Sequence, residues 1–258
     1  MPFTLITGAS MGIGEAFARE YARRGCNLLL VARSEDKLQE LAAEFIEKHG
    51  IEARVFAADL NDAGTPSRLY GYCTDNLIDI ELLVNCAGLS RAGEFLEMPL
   101  EKLGEIMTVN MTAAAGLSRL FLPGMLSARR GGIINVASLG GLQGVPGLAL
   151  YSATKSFLIT LSEALNVEAQ KSGVKVVAVC PGFIDTGFLG RTGHDASGIR
   201  LPIYGADKVV RAAIRGLEKN RMRVFPTLVD SLLAFSQRLA TRRVAVRLSG
   251  FFAGIVRG

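Results

Sequence analysis

The sequence predicts an α/β fold in which a parallel β-sheet is covered by helices on both faces. Three observations carry that expectation. Short apolar runs alternate with longer stretches of helical period along the chain. The runs are nearly continuous rather than alternating, as strands buried on both faces require. The 258 residues include 29 glycines with no collagen period, which suits many tight turns between strands and helices. Strands are expected at Phe3–Thr7, Leu28–Ala32, Ala53–Ala57, Leu82–Asn85, Ile133–Ala137, Val174–Cys180 and Met222–Phe225. Helices are expected at Gly12–Arg24, Ser34–His49, Ala63–Leu77, Pro99–Leu126, Tyr151–Lys171 and Ala206–Lys219. No linker, low-complexity segment or repeat divides the chain, so 1–258 reads as one domain. Two stretches break the alternation: Phe183–Gly205, and the tail beyond Phe225.

Composition narrows the class. Hydrophobic residues make up 49% and charged residues 21%, which suits a globular enzyme and excludes a disordered chain. Cys26, Cys73, Cys86 and Cys180 are widely spaced with no Cys-x-x-Cys pair, arguing against a metal site and for a reducing, cytoplasmic compartment. The start, Met1 to Gly8, lacks a basic leader and reads as a strand, not a signal peptide. No apolar run is long enough to predict a membrane span. The net charge is +5, yet residues 221–258 alone hold seven arginines and one acid, Asp230. Those arginines are interleaved with Leu, Val and Phe, which reads as an amphipathic surface and not as a nucleic-acid site.

The first strand runs into Thr7-Gly8-Ala9-Ser10-Met11-Gly12-Ile13-Gly14. Glycines let a turn tighten and let backbone approach a pyrophosphate, which then sits on the following helix N-terminus. Gly8, Ser10, Met11, Gly12, Ile13 and Gly14 are therefore candidate cofactor contacts. About 20 residues on, a dinucleotide site places an acid for a ribose hydroxyl or a basic residue for a 2′-phosphate. This chain has Ala32-Arg33-Ser34 there. Arg33 favours NADP(H) over NAD(H), although it could also be a solvated arginine at a strand end. Asp59 follows the third strand and could cap a turn. Asn85-Cys86-Ala87-Gly88 follows the fourth, at the sheet edge where ligands bind in open α/β folds. Cys86 has no histidine partner in sequence and reads as a buried thiol. Asn110, polar and mid-helix, must find hydrogen-bond partners, and Pro123 is expected to bend the end of that helix.

Ser138 stands where the apolar run 133–137 stops, and Tyr151 and Lys155 follow four residues apart on a helix. Such positions share a face roughly 5–6 Å apart. A free phenol has a pKa of about 10. A unit charge near ~4 Å, at an effective dielectric of about 20, is worth ~4 kcal/mol and would bring it towards ~7. A general acid or base works best there.

Gly8, Gly12 and Gly14, Asn85 to Gly88, Asn110, Ser138, Tyr151 with Lys155, and Pro181-Gly182 occur in that order. The set resembles the short-chain dehydrogenase/reductase family in its single-domain form. The resemblance implies a Rossmann-like, doubly wound parallel sheet in three layers, here with a C-terminal helical extension. It implies Tyr151 as general acid for carbonyl reduction and base for alcohol oxidation. Lys155 would lower the phenol pKa and hold the nicotinamide ribose, Ser138 would bind the substrate oxygen, and Asn110 would hold a relay water. Asp59 and Leu60 would meet adenine, Asn85, Ala87 and Gly88 the adenosine and ribose side, and Pro181, Gly182, Ile184 and Thr186 the nicotinamide end. A homodimer or homotetramer built on the helices of Asn110 and Tyr151 is also implied. The chain departs from the family at Cys86, where Asn is common, and at Met11, where some NADP-dependent members carry a basic residue.

The residues do not name the substrate. Leu142, Val145, Leu148 and Leu150 favour an apolar ketone or 3-oxoacyl group over a sugar. The 183–205 stretch reads as a substrate loop holding Arg191, His194 and Arg200, where an arginine could clamp an acidic group. The 226–258 tail reads as helices closing over the pocket or packing at an interface, in preference to lying on a membrane. The alternative to an enzyme is a non-catalytic dinucleotide sensor or membrane-surface protein on the same fold.

Overall fold

A computed structural model describes residues 1–193 and 196–254. Strands β1 (Phe3–Thr7), β2 (Asn27–Ala32), β3 (Ala53–Ala57), β4 (Ile80–Asn85), β5 (Gly132–Val136) and β6 (Lys175–Val179) alternate with helices. The helices are α1 (Gly12–Arg23), α2 (Glu35–His49), α3 (Thr65–Asp75), α4 (Leu100–Met107), α5 (Ala114–Ala128) and α6 (Ala149–Gln170). Beyond them lie β7 (Phe183–Asp185), α7 (Phe188–Arg191), β8 (Ile203–Gly205), α8 (Ala206–Glu218), β9 (Arg223–Val224), α9 (Leu228–Ser236) and α10 (Arg242–Ala253).

Among the described residues, seven strands form one parallel sheet in the order β3-β2-β1-β4-β5-β6-β9. The order reverses between β1 and β4, which opens a crevice at their carboxyl ends. Period-two alternation inside the apolar runs builds the three layers. Ile6, Leu28, Leu30 and Val84 pack with Phe17, Leu38, Phe45 and Val209 of α1, α2 and α8. Their neighbours Leu5, Leu29, Val31 and Leu83 pack with Leu69, Leu117 and Phe121 of α3 and α5 on the other face. Each fully buried Leu or Phe contributes roughly 1.5–3 kcal/mol, so both faces stabilise the sheet.

The strands and most helices lie within a residue or two of their expected bounds. The helix expected at Pro99–Leu126 is interrupted instead: a π-helical turn, Thr108–Ala113, separates α4 from α5 and carries Asn110. The 183–205 stretch holds structure of its own, because β7 and β8 pair in parallel as a separate small sheet. His194 lies outside the described residues. No helix among the described residues is long and apolar enough to cross a membrane.

Candidate active site

The crevice at the β1/β4 reversal continues into one cleft of about 1060 Å³. Its floor is the glycine turn. Gly8 adopts φ +68°, and a Cβ there would stand 3.0 Å from the Ala87 backbone. A Cβ on Gly14 would stand 2.1 Å from the Gly8 carbonyl oxygen, so only glycine lets α1 start this close to β1. Across the cleft, a Cβ on Gly12 would meet Thr186 at 3.1 Å. Ser10, Met11, Ile13, Leu60, Gly88, Pro181, Gly182 and Ile184 line the same cleft.

Thr7, which sequence reasoning passed over, sets this geometry. Its hydroxyl donates to the Val84 carbonyl at 3.3 Å and accepts from the amides of Cys86 at 3.0 Å and Ala87 at 3.1 Å. The end of β1 thereby fixes the turn after β4. A hydroxyl at the last position of an apolar strand was the available signal.

At one end of the cleft Arg33 and Asp59 face each other at 3.9 Å, with 63% and 49% of their side chains exposed. Asp59 also accepts from the Asn61 amide at 2.9 Å, so its turn-capping role is real. The exposed pair contributes little to stability. It leaves the guanidinium available to an anion.

At the other end stand Ser138, Tyr151 and Lys155. Ser138 caps a short turn after β5 and accepts from the Gly140 amide at 3.1 Å. Burial pushes the Tyr151 phenol up to about 12, while a hydrogen bond with Ser138 acts in the opposite direction. Burial pushes the Lys155 ammonium down to about 8. The value near 7 expected for Tyr151 is not found in this arrangement. The ammonium donates instead to the Val136 carbonyl at 2.8 Å and lies 5.7 Å from the centroid of the Tyr151 ring, so desolvation wins.

Two expected site residues turn away from the cleft. Asn85 donates to Asn135 at 2.8 Å and to Ser118 at 3.2 Å, and Asn135 donates on to Ser162 at 2.8 Å. That buried polar chain ties β4 to β5 and α6, whereas the neighbours Cys86, Ala87 and Gly88 reach the cleft. Asn110 is fully buried; it accepts from the Leu89 amide at 2.7 Å and donates to the Leu89 carbonyl and to Thr154. Its side-chain donors are committed to protein, so a water would have to use its remaining acceptor capacity. Asn110 holds the strand-end segment beside Lys155: a Cβ on Gly88 would stand 3.4 Å from Lys155 Nζ and 3.5 Å from Asn110 Oδ1. Burial pushes the Cys86 thiol up to about 12, which removes it as a nucleophile.

The tail walls the end of the cleft beyond Tyr151. Leu233, Gln237, Leu248 and Phe252 line the cleft with Val145, Leu148 and Phe188. Arg242 donates to the Leu142 carbonyl at 3.0 Å and Ser249 to the Gly144 carbonyl at 3.0 Å, while Gln237 donates to Gln143. Arg191 lines the cleft, as do Arg91 and Ser90, both missed in sequence. Ser90 Oγ is buried with no protein partner. Arg200 does not line the cleft. It donates to the Phe251 carbonyl at 2.9 Å and stacks 3.9 Å from that ring. Sequence also gave no sign of a buried brace. Tyr204 donates to Asp230 at 2.5 Å and accepts from the Gly182 amide at 3.1 Å, linking tail, β8 and cleft.

The donor set suits a dinucleotide. A glycine cradle sits at a helix N-terminus, an exposed cation lies beyond it, and an orphaned hydroxyl faces the space between.

Comparison with known proteins agrees. The family model for short chain dehydrogenase matches residues 2–197. The chain is 35% identical over 190 residues to a very-long-chain 3-oxoacyl-CoA reductase of Anas platyrhynchos, covering 71% of this chain and 60% of that protein. It therefore spans about three-fifths of the length of such curated relatives. Among solved structures it is similar to a short-chain dehydrogenase from Sphingobium yanoikuyae in complex with NADPH, at 33% identity and TM-score 0.83, covering 93% and 94% of the two chains. It is also similar to a bulky-bulky ketone specific alcohol dehydrogenase from Comamonas testosteroni, at 29% identity and TM-score 0.77, covering 94% and 98%. With its sheet order, its glycine cradle and its Ser138, Tyr151 and Lys155 at the carboxyl edge, the chain belongs to the short-chain dehydrogenase family of oxidoreductases.

Proposed function

We propose that the chain is an NADP(H)-dependent oxidoreductase that interconverts a ketone and a secondary alcohol, with an apolar ketone or 3-oxoacyl substrate and Tyr151 as general acid/base. The observation that carries this reading is the convergence of Ser138, Tyr151 and Lys155 on one wall of a cleft that ends at the glycine turn and Arg33. When bound, a nicotinamide cofactor supplies the hydride. Residues Gly8 to Gly14 would hold its pyrophosphate. Arg33 would take the 2′-phosphate, Asp59, Leu60, Ala87 and Gly88 the adenosine side, and Pro181, Gly182, Ile184 and Thr186 the nicotinamide end. The solved relative with NADPH supports the cofactor choice, and the relatives named for 3-oxoacyl-CoA and bulky ketones support the substrate class.

Ser138 would donate to the substrate oxygen and orient it towards Tyr151. The phenol, held well above neutral pH by burial, carries its proton and delivers it as the oxygen gains charge. The Lys155 ammonium favours the phenolate left behind. A homodimer or homotetramer, and a cytoplasmic location in keeping with four free cysteines, complete the reading.

The test is NADPH oxidation with a panel of apolar ketones, 3-oxoacyl thioesters and polar ketoses. Turnover is expected for the first two classes. Turnover confined to the ketoses would overturn the substrate reading, and none at all would leave a dinucleotide sensor. In the same assay Arg33→Ala should weaken NADPH by about 10–100-fold and leave NADH unchanged, the loss of one charge-assisted contact. Equal loss for both cofactors would defeat the 2′-phosphate assignment.

The pH dependence has a definite sign. Lys155 is cationic below about 8 and neutral above it, whereas Tyr151 keeps its proton throughout that range. Reduction should therefore be flat on the acid side and decline as pH rises through about 8. A kcat/KM profile that instead climbs with pH would contradict these roles.

A further inference from the structure

We propose that α9 and α10 form a docking surface for an anionic lipid interface. Each helix turns one face to the cleft and leaves an apolar stripe in solvent. On α9, Leu228, Leu232 and Phe235 recur at i, i+4 and i+7, and Leu239 continues the stripe; their exposures are 83%, 67%, 56% and 78%. On α10, Val244, Leu248 and Phe251 repeat the same spacing at 46%, 47% and 49% exposed. Scattered exposed leucines are ordinary, but an apolar stripe on each of two consecutive helices marks an interaction surface.

The charge decides what fits it. Arg238, Arg242, Arg243 and Arg247 are exposed on the same segment. Its one carboxylate, Asp230, is 3% exposed and turned inward to Tyr204 and the Thr227 amide. From Pro226 to Gly254 the surface therefore offers cations and apolar side chains with no exposed acid. A second copy on this patch would set arginines against arginines. An interface of anionic headgroups over acyl chains supplies both complements, as it does for basic amphipathic helices that lie in the plane of a bilayer. Leu248 belongs both to the stripe and to the cleft lining, so the cleft mouth opens at the docked face. This inference does not depend on which carbonyl, if any, the cleft reduces.

The experiment is co-sedimentation of the full chain with vesicles of phosphatidylcholine alone, or with about one third phosphatidylserine. Binding is expected to the mixed vesicles only, released by about 0.5 M salt. The pair Leu232→Ser with Leu239→Ser should weaken it at least ~10-fold. The set Arg238→Gln, Arg243→Gln and Arg247→Gln should weaken it by about 10–100-fold. None of these residues lines the cleft, so melting temperature and NADPH binding should stay at wild-type values. Absence of binding to the anionic vesicles, or binding that survives both variants, overturns the proposal. A dimer that Leu232→Ser with Leu239→Ser dissociates, without vesicle binding by the parent, assigns the face to a second copy instead.

Discussion

Tyr151→Phe is expected to lower kcat for carbonyl reduction by about 10³-fold or more, within the range that a positioned general acid contributes. The substitution removes one hydroxyl and nothing else. The ring keeps its place 6.2 Å from Phe188 and beside the Lys155 side chain, so packing survives. Because burial disfavours the ionised phenol, the folded protein has no stability invested in the phenolate. The melting temperature should therefore change by no more than about 2 °C, and the NADPH dissociation constant should change little. Steady-state kinetics with fluorescence titration of NADPH separates the two effects. Retention of wild-type kcat in the variant would remove Tyr151 from the chemistry, while loss of NADPH binding would reassign it to the cofactor.

The second large effect belongs to Gly14. In Gly14→Ala the new methyl would fall 2.1 Å from the Gly8 carbonyl oxygen and 2.7 Å from its carbonyl carbon. Both are backbone atoms and cannot rotate aside, so α1 must move off the end of β1. Overpacking of this kind costs about 1–3 kcal/mol, which in a chain of this size lowers the melting temperature by roughly 3–10 °C. The functional loss should be larger. The displaced helix N-terminus no longer aims its amides at the cradle, and NADPH affinity should fall at least ~10-fold. Thermal melts with and without NADPH read both. A variant that melts normally and is still stabilised by NADPH would show that the turn has slack and that close approach is not its purpose.

Most of the sheet was legible because burial on both faces leaves a continuous apolar run, and helices follow from period and breaks. The 183–205 segment was not. β7 and β8 are three residues each, and their glycine-rich setting gives no alternation to read. The π-helical turn at Asn110 was equally hidden, since one extra residue per turn changes hydrogen bonding without changing composition. Candidate site residues were assigned by position along the chain, and position does not say where a side chain turns. Asn85 occupies the carboxyl end of β4 as expected, yet its amide points into the packing between β5 and α5, while its neighbours face the cleft. The brace through Tyr204 and Asp230 joins residues 26 apart with no shared motif. In the tail, amphipathic spacing predicted helices, over the pocket or at an interface; α9 and α10 each line one side of the cleft, and only the fold reveals which stripe each leaves uncovered.

The stitches between the tail and the turn after β5 divide the cleft by chain position. Gln143 meets Gln237 across 94 residues of sequence, Leu142 meets Arg242 across 100, and Gly144 meets Ser249 across 105. The glycine cradle, Arg33 and the wall of Ser138, Tyr151 and Lys155 all precede α9 in the chain, whereas Leu233, Gln237, Leu248 and Phe252 all follow β9. Exchange of the tail would therefore remodel one end of the cleft and leave the other with the residues it has.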